Sequence, residues 1–166
     1  MSRSWKAVLA AVGAVVLVTV GLMSFAAASS PSSSTTSNSE TKTIHVIQPN
    51  SAVFTNVDVG PTGDSPGDYV VITSPLLNPA THQRVGSGAV VCTLVKVTPT
   101  FPAQCVGTAH FAAGDITFQG LFVTVTGKAN VLAVTGGTGA YRTADGTVTV
   151  TILKSGATDI VFRLTL

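Results

Sequence analysis

Between Val131 and Val150 the chain reads VLAVTGGTGAYRTADGTVTV: an apolar run, three glycines within four positions, a tyrosine and, after Gly146, alternating threonine and valine. Clustered glycines reach backbone angles that residues with a Cβ avoid. Two extended segments must therefore bend or turn sharply here and pack closely. Alternation with a period of two belongs to a strand with one buried face. No segment after residue 43 carries a helical period, so the folded part is read as all-β.

Turn formers divide the remainder into short extended pieces rich in Val, Thr, Ile and Phe. The pieces are 44–48, 53–59, 69–74 (ended by Pro75), 88–97, 104–111, 116–126, 130–135, 147–153 and 159–166. In the final hairpin Val148, Val150 and Ile152 alternate with threonines, and Ile160, Phe162 and Leu164 share a face. The middle pieces are apolar on both faces: Ile116, Phe118 and Phe122 on one, Leu121, Val123 and Val125 on the other. An eight-stranded antiparallel β-barrel with a partly covered outside satisfies this pattern, because closure removes exposed edges. A sandwich is the competing architecture. Residues 60–67, GPTGDSPG, are nearly all turn formers and predict a mobile loop.

Ahead of the barrel lie two segments of different character. Arg3 and Lys6 precede an uncharged apolar run, and Ala26-Ala27-Ala28 supplies a small-residue cleavage signal. Residues 1–28 therefore read as a hydrophobic signal helix removed on export. Its apolar stretch is long enough to span a bilayer, so an uncleaved anchor is the alternative and the sole expected membrane contact. Residues 29–43, SSPSSSTTSNSETKT, offer nothing to a core and read as a disordered Ser/Thr-rich linker. The folded domain is assigned to 44–166, in a secreted or envelope-associated protein.

Charge excludes one class of partner. The net charge is +2, but two of the nine basic residues are Arg3 and Lys6. From residue 29 onward seven basic residues balance seven acidic ones. A neutral chain lacks the basic face that nucleic acid requires. Only 10% of residues are charged against 45% apolar. Part of the apolar surface is therefore expected to be covered by a ligand, lipid or another subunit.

Cys92 and Cys105 are placed symmetrically about Thr98/Pro99 on the arms of one predicted hairpin. Antiparallel pairing sets them opposite one another, and an exported chain with two cysteines favours a disulfide. The alternative, a reactive thiol, lacks a neighbouring charge to activate it. His45, His82 and His110 are too scattered for a local metal motif, and the glycine cluster lacks the Lys-Ser/Thr of a phosphate loop. No cofactor and no metal are expected.

Asp58 and Asp68 flank the 60–67 loop. A carboxylate at the edge of an apolar pocket can serve as a general acid or base. Asp68 reads better as a turn residue that accepts backbone N–H groups. Asp58 is therefore the candidate catalytic residue. Tyr69, Arg84, Tyr141 and Arg142 are the polar side chains expected to orient a ligand.

The glycine stretch resembles the allene oxide cyclase and dirigent barrels, whose Gly-Gly-Thr-Gly-x-[Phe/Tyr] and later Ala-x-Gly appear here as Gly136-Gly137-Thr138-Gly139-Ala140-Tyr141 and Ala144-Asp145-Gly146. Asp58-Val59-Gly60, Gly67-Asp68, Val85-Gly86, the cysteine pair and Gly114-x-Ile116-x-x-x-Gly120 fall in order upstream. The likeness covers roughly residues 43–166 and is greatest to small secreted bacterial members. It implies a barrel that holds a small hydrophobic ligand, and a homo-oligomer, most simply a trimer. It also implies cyclase-type (isomerase) or dirigent-type activity, in which the cavity preorganises a reactive molecule. Where plant dirigents often carry Arg inside Ala-Arg-Gly, this chain has Asp145, a reversal of charge. A non-catalytic envelope module with a barrel packed by its own side chains is the rival reading.

Overall fold

The computed structural model describes residues 39–166. The leader and most of the linker lie outside the described residues. Nine strands follow in chain order: β1 (Thr41–Gln48), β2 (Val53–Val57), β3 (Tyr69–Leu77), β4 (Arg84–Leu94), β5 (Ala103–Phe111), β6 (Gly114–Phe122), β7 (Ala129–Gly137), β8 (Asp145–Ile152) and β9 (Thr158–Thr165). Every pairing is antiparallel, and the order β1-β9-β8-β7-β6-β5-β4-β3 closes on itself through β1–β3. Eight strands therefore form a closed barrel, as the alternation and turn spacing predict, and the sandwich is excluded. The ninth, β2, pairs with β3 alone.

Two boundaries differ from the sequence reading. Thr41, Lys42 and Thr43, read as the end of the linker, are already paired with Thr165, Leu164 and Arg163 of β9. Polar residues at a strand end join a ladder when the partner backbone is present, and sequence alone does not reveal that partner. Pro75 does not end β3, which continues to Leu77. It falls between the last β2 pair, Val53–Thr73, and the single β1 pair, Ile47–Leu77. On that flank no paired residue opposes it, so its missing N–H costs no ladder bond there.

Alternation decides what faces inward. Val148, Phe162 and Leu164 are buried, in register across β8 and β9, with threonines on the outside. Ile116 and Phe118 of β6, Phe111 of β5, Leu132 and Val134 of β7 and Val46 of β1 join them. The core collects at the end of the barrel bearing the β5–β6 and β7–β8 connections. There Phe111 meets Tyr141 and Phe162 edge to face at 6.2 Å, and Phe118 meets Phe162 at 5.9 Å. Such pairs add to the burial of their area.

The glycine cluster ends β7 and leads into one 3-10 turn, Gly139–Tyr141. Gly114 and Gly139 face each other across this closed end. A Cβ on Gly139 would strike the Ala113 carbonyl oxygen, and one on Gly114 would strike that of Thr138. Both residues also have positive φ, +57° and +138°. The connection is tied down by Thr138 N–H to Asp115 O and Ala140 N–H to Ala113 O, at 2.9 and 2.8 Å.

Candidate functional site

The opposite end of the barrel is open. A cavity of about 560 Å³ runs inward from it. Its floor is formed by Phe118, Leu132 and Ile160, and its walls by Ile72, Val90 and Val150, all inward-facing strand residues. Each of the four connections at this end reaches the mouth: Asp58, Gly63 and Asp64 from the β2–β3 loop, Phe101, Thr124 and Gly156 from the other three. The strand β2 forms one lip with Phe54 and Asn56.

The β2–β3 loop is built around Asp68. Its Oδ1 accepts the Val59 and Gly60 N–H groups and the Ser65 hydroxyl, and its Oδ2 accepts the Ser65 N–H at 2.7 Å. The Val59 and Ser65 amides foremost hold the Asp68 carboxyl below the usual carboxylate range. This is the turn role assigned to it from the sequence. Asp58 is exposed at the rim, and its Oδ2 accepts the Gly63 N–H at 3.1 Å. Asp64 is exposed too, and its side chain makes no hydrogen bond among the described residues.

In the neighbouring β4–β5 connection, Phe101 is 39% exposed. Its φ of 40° lies in the left-handed region, uncommon for a residue with a Cβ, and its N–H is bonded to Thr98 O at 3.0 Å. Behind the mouth, buried Asn130 secures the β6–β7 turn: its Oδ1 accepts the Val123 N–H and its Nδ2 donates to Val123 O.

Cys92 and Cys105 are bonded, as their symmetry about the turn predicts, with Cα atoms 4.0 Å apart in directly paired positions. Both point inward and line the cavity. The disulfide thus belongs to the cavity wall.

The residues expected around a ligand do not gather in one place. Asp58 and Tyr69 lie at the mouth. Arg84 is on the outer wall, its Nε donating to Gly86 O, beside a shallow hollow shared with Ser51, Ser87 and His110. Tyr141 is buried at the closed end, against Phe111, with the Lys42 Nζ 5.2 Å from its ring centre. Arg142 is exposed beside it. Asp58 therefore finds its hydrogen-bond partner in a backbone amide of its own loop rather than in Arg84 or Tyr141. The sequence reading passed over Phe54, Asp64, Phe101, Phe118 and Phe122, all of which line the cavity. The signal available was the shared inward face of Phe118 and Phe122; an exposed Phe101 in a turn had no signal. Among the described residues no cluster of His, Cys, Asp and Glu is placed to hold a metal ion.

Stoppered at one end and hollow at the other, the molecule is one of the closed antiparallel barrels with an internal cavity. Residues 50–162 match the allene oxide cyclase barrel like domain, and the chain belongs to that family. No curated protein matches it by sequence. Among solved structures it is similar to a pyocyanin demethylase, at 25% identity and a TM-score of 0.60, over 75% of this chain and 99% of that one. The pterocarpan synthase dirigent protein PsPTS1 has 16% identity and a TM-score of 0.60, over 76% of this chain and 94% of its own. The Diels Alderase AbmU from Streptomyces koyangensis has 11% identity and a TM-score of 0.58, over 79% and 71%. At the last two identities the likeness is one of fold.

Proposed function

We propose that this protein is an exported barrel that encloses a small apolar molecule and steers its reaction by holding it in one conformation. The observation that carries this reading is the cavity. An apolar hollow of about 560 Å³, with few polar groups and those confined to its mouth, has the size and character of a small-molecule site. A barrel serving only as an envelope module needs no such hollow, and close packing of its interior would stabilise it. Cyclisation or stereoselective coupling suits a cavity with little catalytic machinery, since orientation alone removes much of the barrier. Two solved relatives in fold, a dirigent protein and a Diels Alderase, bear names of this kind. Asp58, at the rim, is the carboxylate best placed to meet a polar group of the ligand. Export is supported by the leader and by the disulfide, a bond that persists in oxidising compartments.

The test is binding of the neutral dye Nile red, with Ile72→Trp as the filled-cavity control. The wild type should bind with an emission blue shift, and Ile72→Trp should fold, by far-ultraviolet circular dichroism, and lose binding. Equal binding by both would place the dye outside the barrel and refute the reading. Asp58→Asn should keep the fold and weaken binding or turnover of the natural ligand. That ligand can be sought by native mass spectrometry of protein purified from its own host.

The same proposal includes a homo-oligomer, with a trimer as the expected form. The outer wall of β4 to β7 exposes Val91, Val106, Leu121 and Val131, the last two at 56% and 62%. Light scattering at micromolar concentration should give a multiple of the chain mass; a monomer would dismiss this part.

A further inference from the structure

We infer that the cavity selects its occupant by charge, taking aromatic molecules that are cationic or neutral and turning away carboxylates. This rests on the cavity being a ligand site and adds to it the chemical class of ligand.

Two observations converge. The first is an imbalance among the groups a bound molecule would touch. Asp58, Asp64 and Asp68 line the mouth, and among the described residues the lining contains no Lys, Arg or His. Among the described residues the close contacts between a carboxylate and a basic side chain are the hydrogen bonds His45–Asp159 and His110–Asp115, and none of these four residues lines the cavity. Among the described residues the three mouth carboxylates thus have no cation within ion-pair distance. Asp68 is engaged by the amides of its own loop, whereas among the described residues nothing bonds Asp58 Oδ1 or either oxygen of Asp64. Lys96, Lys128 and Lys154 occur in connections at the same end, but all are exposed and none lines the cavity.

The second observation is the aromatic content. Phe54 and Phe101 flank the mouth, and Phe118 and Phe122 stand behind them. Ring faces attract cations and stack on flat apolar molecules. Rings within and carboxylates at the rim suit one orientation of ligand: flat apolar part inward, positive end at the β2–β3 loop. A carboxylate in that orientation would meet like charges with no counter-ion in the wall. In the reverse orientation it would leave water for an apolar floor, at greater cost.

Three anthracene probes of matched shape test this by fluorescence titration: the methylammonium (cation), the methanol (neutral) and the carboxylate (anion). At low ionic strength the ammonium should bind roughly tenfold more tightly than the carboxylate, with the alcohol between, as expected for two unit charges near a protein surface. In about 0.5 M salt the ratio should shrink, because charges at the rim are screened. In the Asp58→Asn/Asp64→Asn double variant the ratio of ammonium to carboxylate affinity should approach one. Asparagine retains an oxygen for the Gly63 amide, and both sites are exposed, so the barrel should persist; circular dichroism checks this. If the carboxylate binds as well as the ammonium, with lysines recruited from the surrounding turns, the charge inference is wrong although the cavity remains a ligand site. An unchanged ratio in the double variant overturns it equally. If none of the probes binds, the ligand-site reading falls with it.

Discussion

The two ends of this barrel are made from the same strands and the same alternating pattern, yet one is filled and the other hollow. At the closed end Phe111, Phe118, Phe162 and Tyr141 interlock, and the Gly114 and Gly139 backbones approach so closely that neither tolerates a Cβ. At the open end the inward residues include Val70, Ile72, Val90, Ala103 and Val150, and they leave the interior hollow. What stiffens this half is a covalent bond in its wall and a loop gathered on one carboxylate, in place of a packed core. Stability is concentrated at one end, which leaves the other free to keep a space.

The sharpest way to break this contrast is to truncate one aromatic at each end. Phe162 is 1% exposed, and Phe162→Ala should cost about 3–5 kcal/mol in urea unfolding. Phe122 is half-buried beside existing empty space, and Phe122→Ala should cost about 1–2 kcal/mol. Equal losses would mean that the two ends carry the fold alike.

Reduction probes the open half. Cys92 and Cys105 are 13 positions apart, and opening so short a loop should cost about 2–3 kcal/mol. Urea midpoints with and without reductant measure it. Hydrogen exchange should quicken around the β4–β5 hairpin more than in β8 and β9.

Backbone at the two ends should differ in tolerance. Gly139→Ala places a Cβ against the Ala113 carbonyl at positive φ and should cost about 1–3 kcal/mol. Gly63→Ala, also at positive φ (+99°) but with nothing within 4 Å of its Cβ, should cost about 1 kcal/mol. The difference between the two melting temperatures checks the comparison.

The smallest expected effect is local and depends on pH. The Asp68 carboxyl has a lowered pKa because the Val59 and Ser65 amides favour its charged form. A depressed folded value stabilises the loop above the ordinary carboxylate range, and that contribution is lost as pH falls through the lowered value. Acidification should therefore open residues 58–68 to proteolysis before the barrel unfolds, and Asp68→Asn should do the same at neutral pH. Cleavage that is indifferent to both would remove Asp68 from this role.

Much of the architecture was legible because it depends on local rules. Period-two alternation assigned Val148, Val150, Ile160 and Phe162 to the interior, and the symmetry of Cys92 and Cys105 about their turn assigned their pairing. Asp68 between Gly67 and Tyr69 read as a turn carboxylate and is one. The site was legible only in part: the 60–67 loop does border the cavity, with Asp58 and Tyr69 at its mouth. Tyr141 and Arg84 were read as ligand groups only as polar side chains able to orient a ligand. Which end of the barrel each would reach depends on strand direction and register, and neither is written in their neighbourhood.

Taken by itself, then, the sequence determined the strands, the inward face of each, the sharp glycine turn and the disulfide. These follow from a residue and its near neighbours: side-chain alternation, backbone freedom and chain reversal. Tertiary structure alone decided that β2 would flank the barrel, that Pro75 would sit harmlessly in β3, and that one end would fill while the other stayed open. Filling is a sum across eight strands at one level. Phe111, Phe118 and Phe162 come from β5, β6 and β9, and only the closed register brings their rings within 6.2 Å of one another in successive pairs.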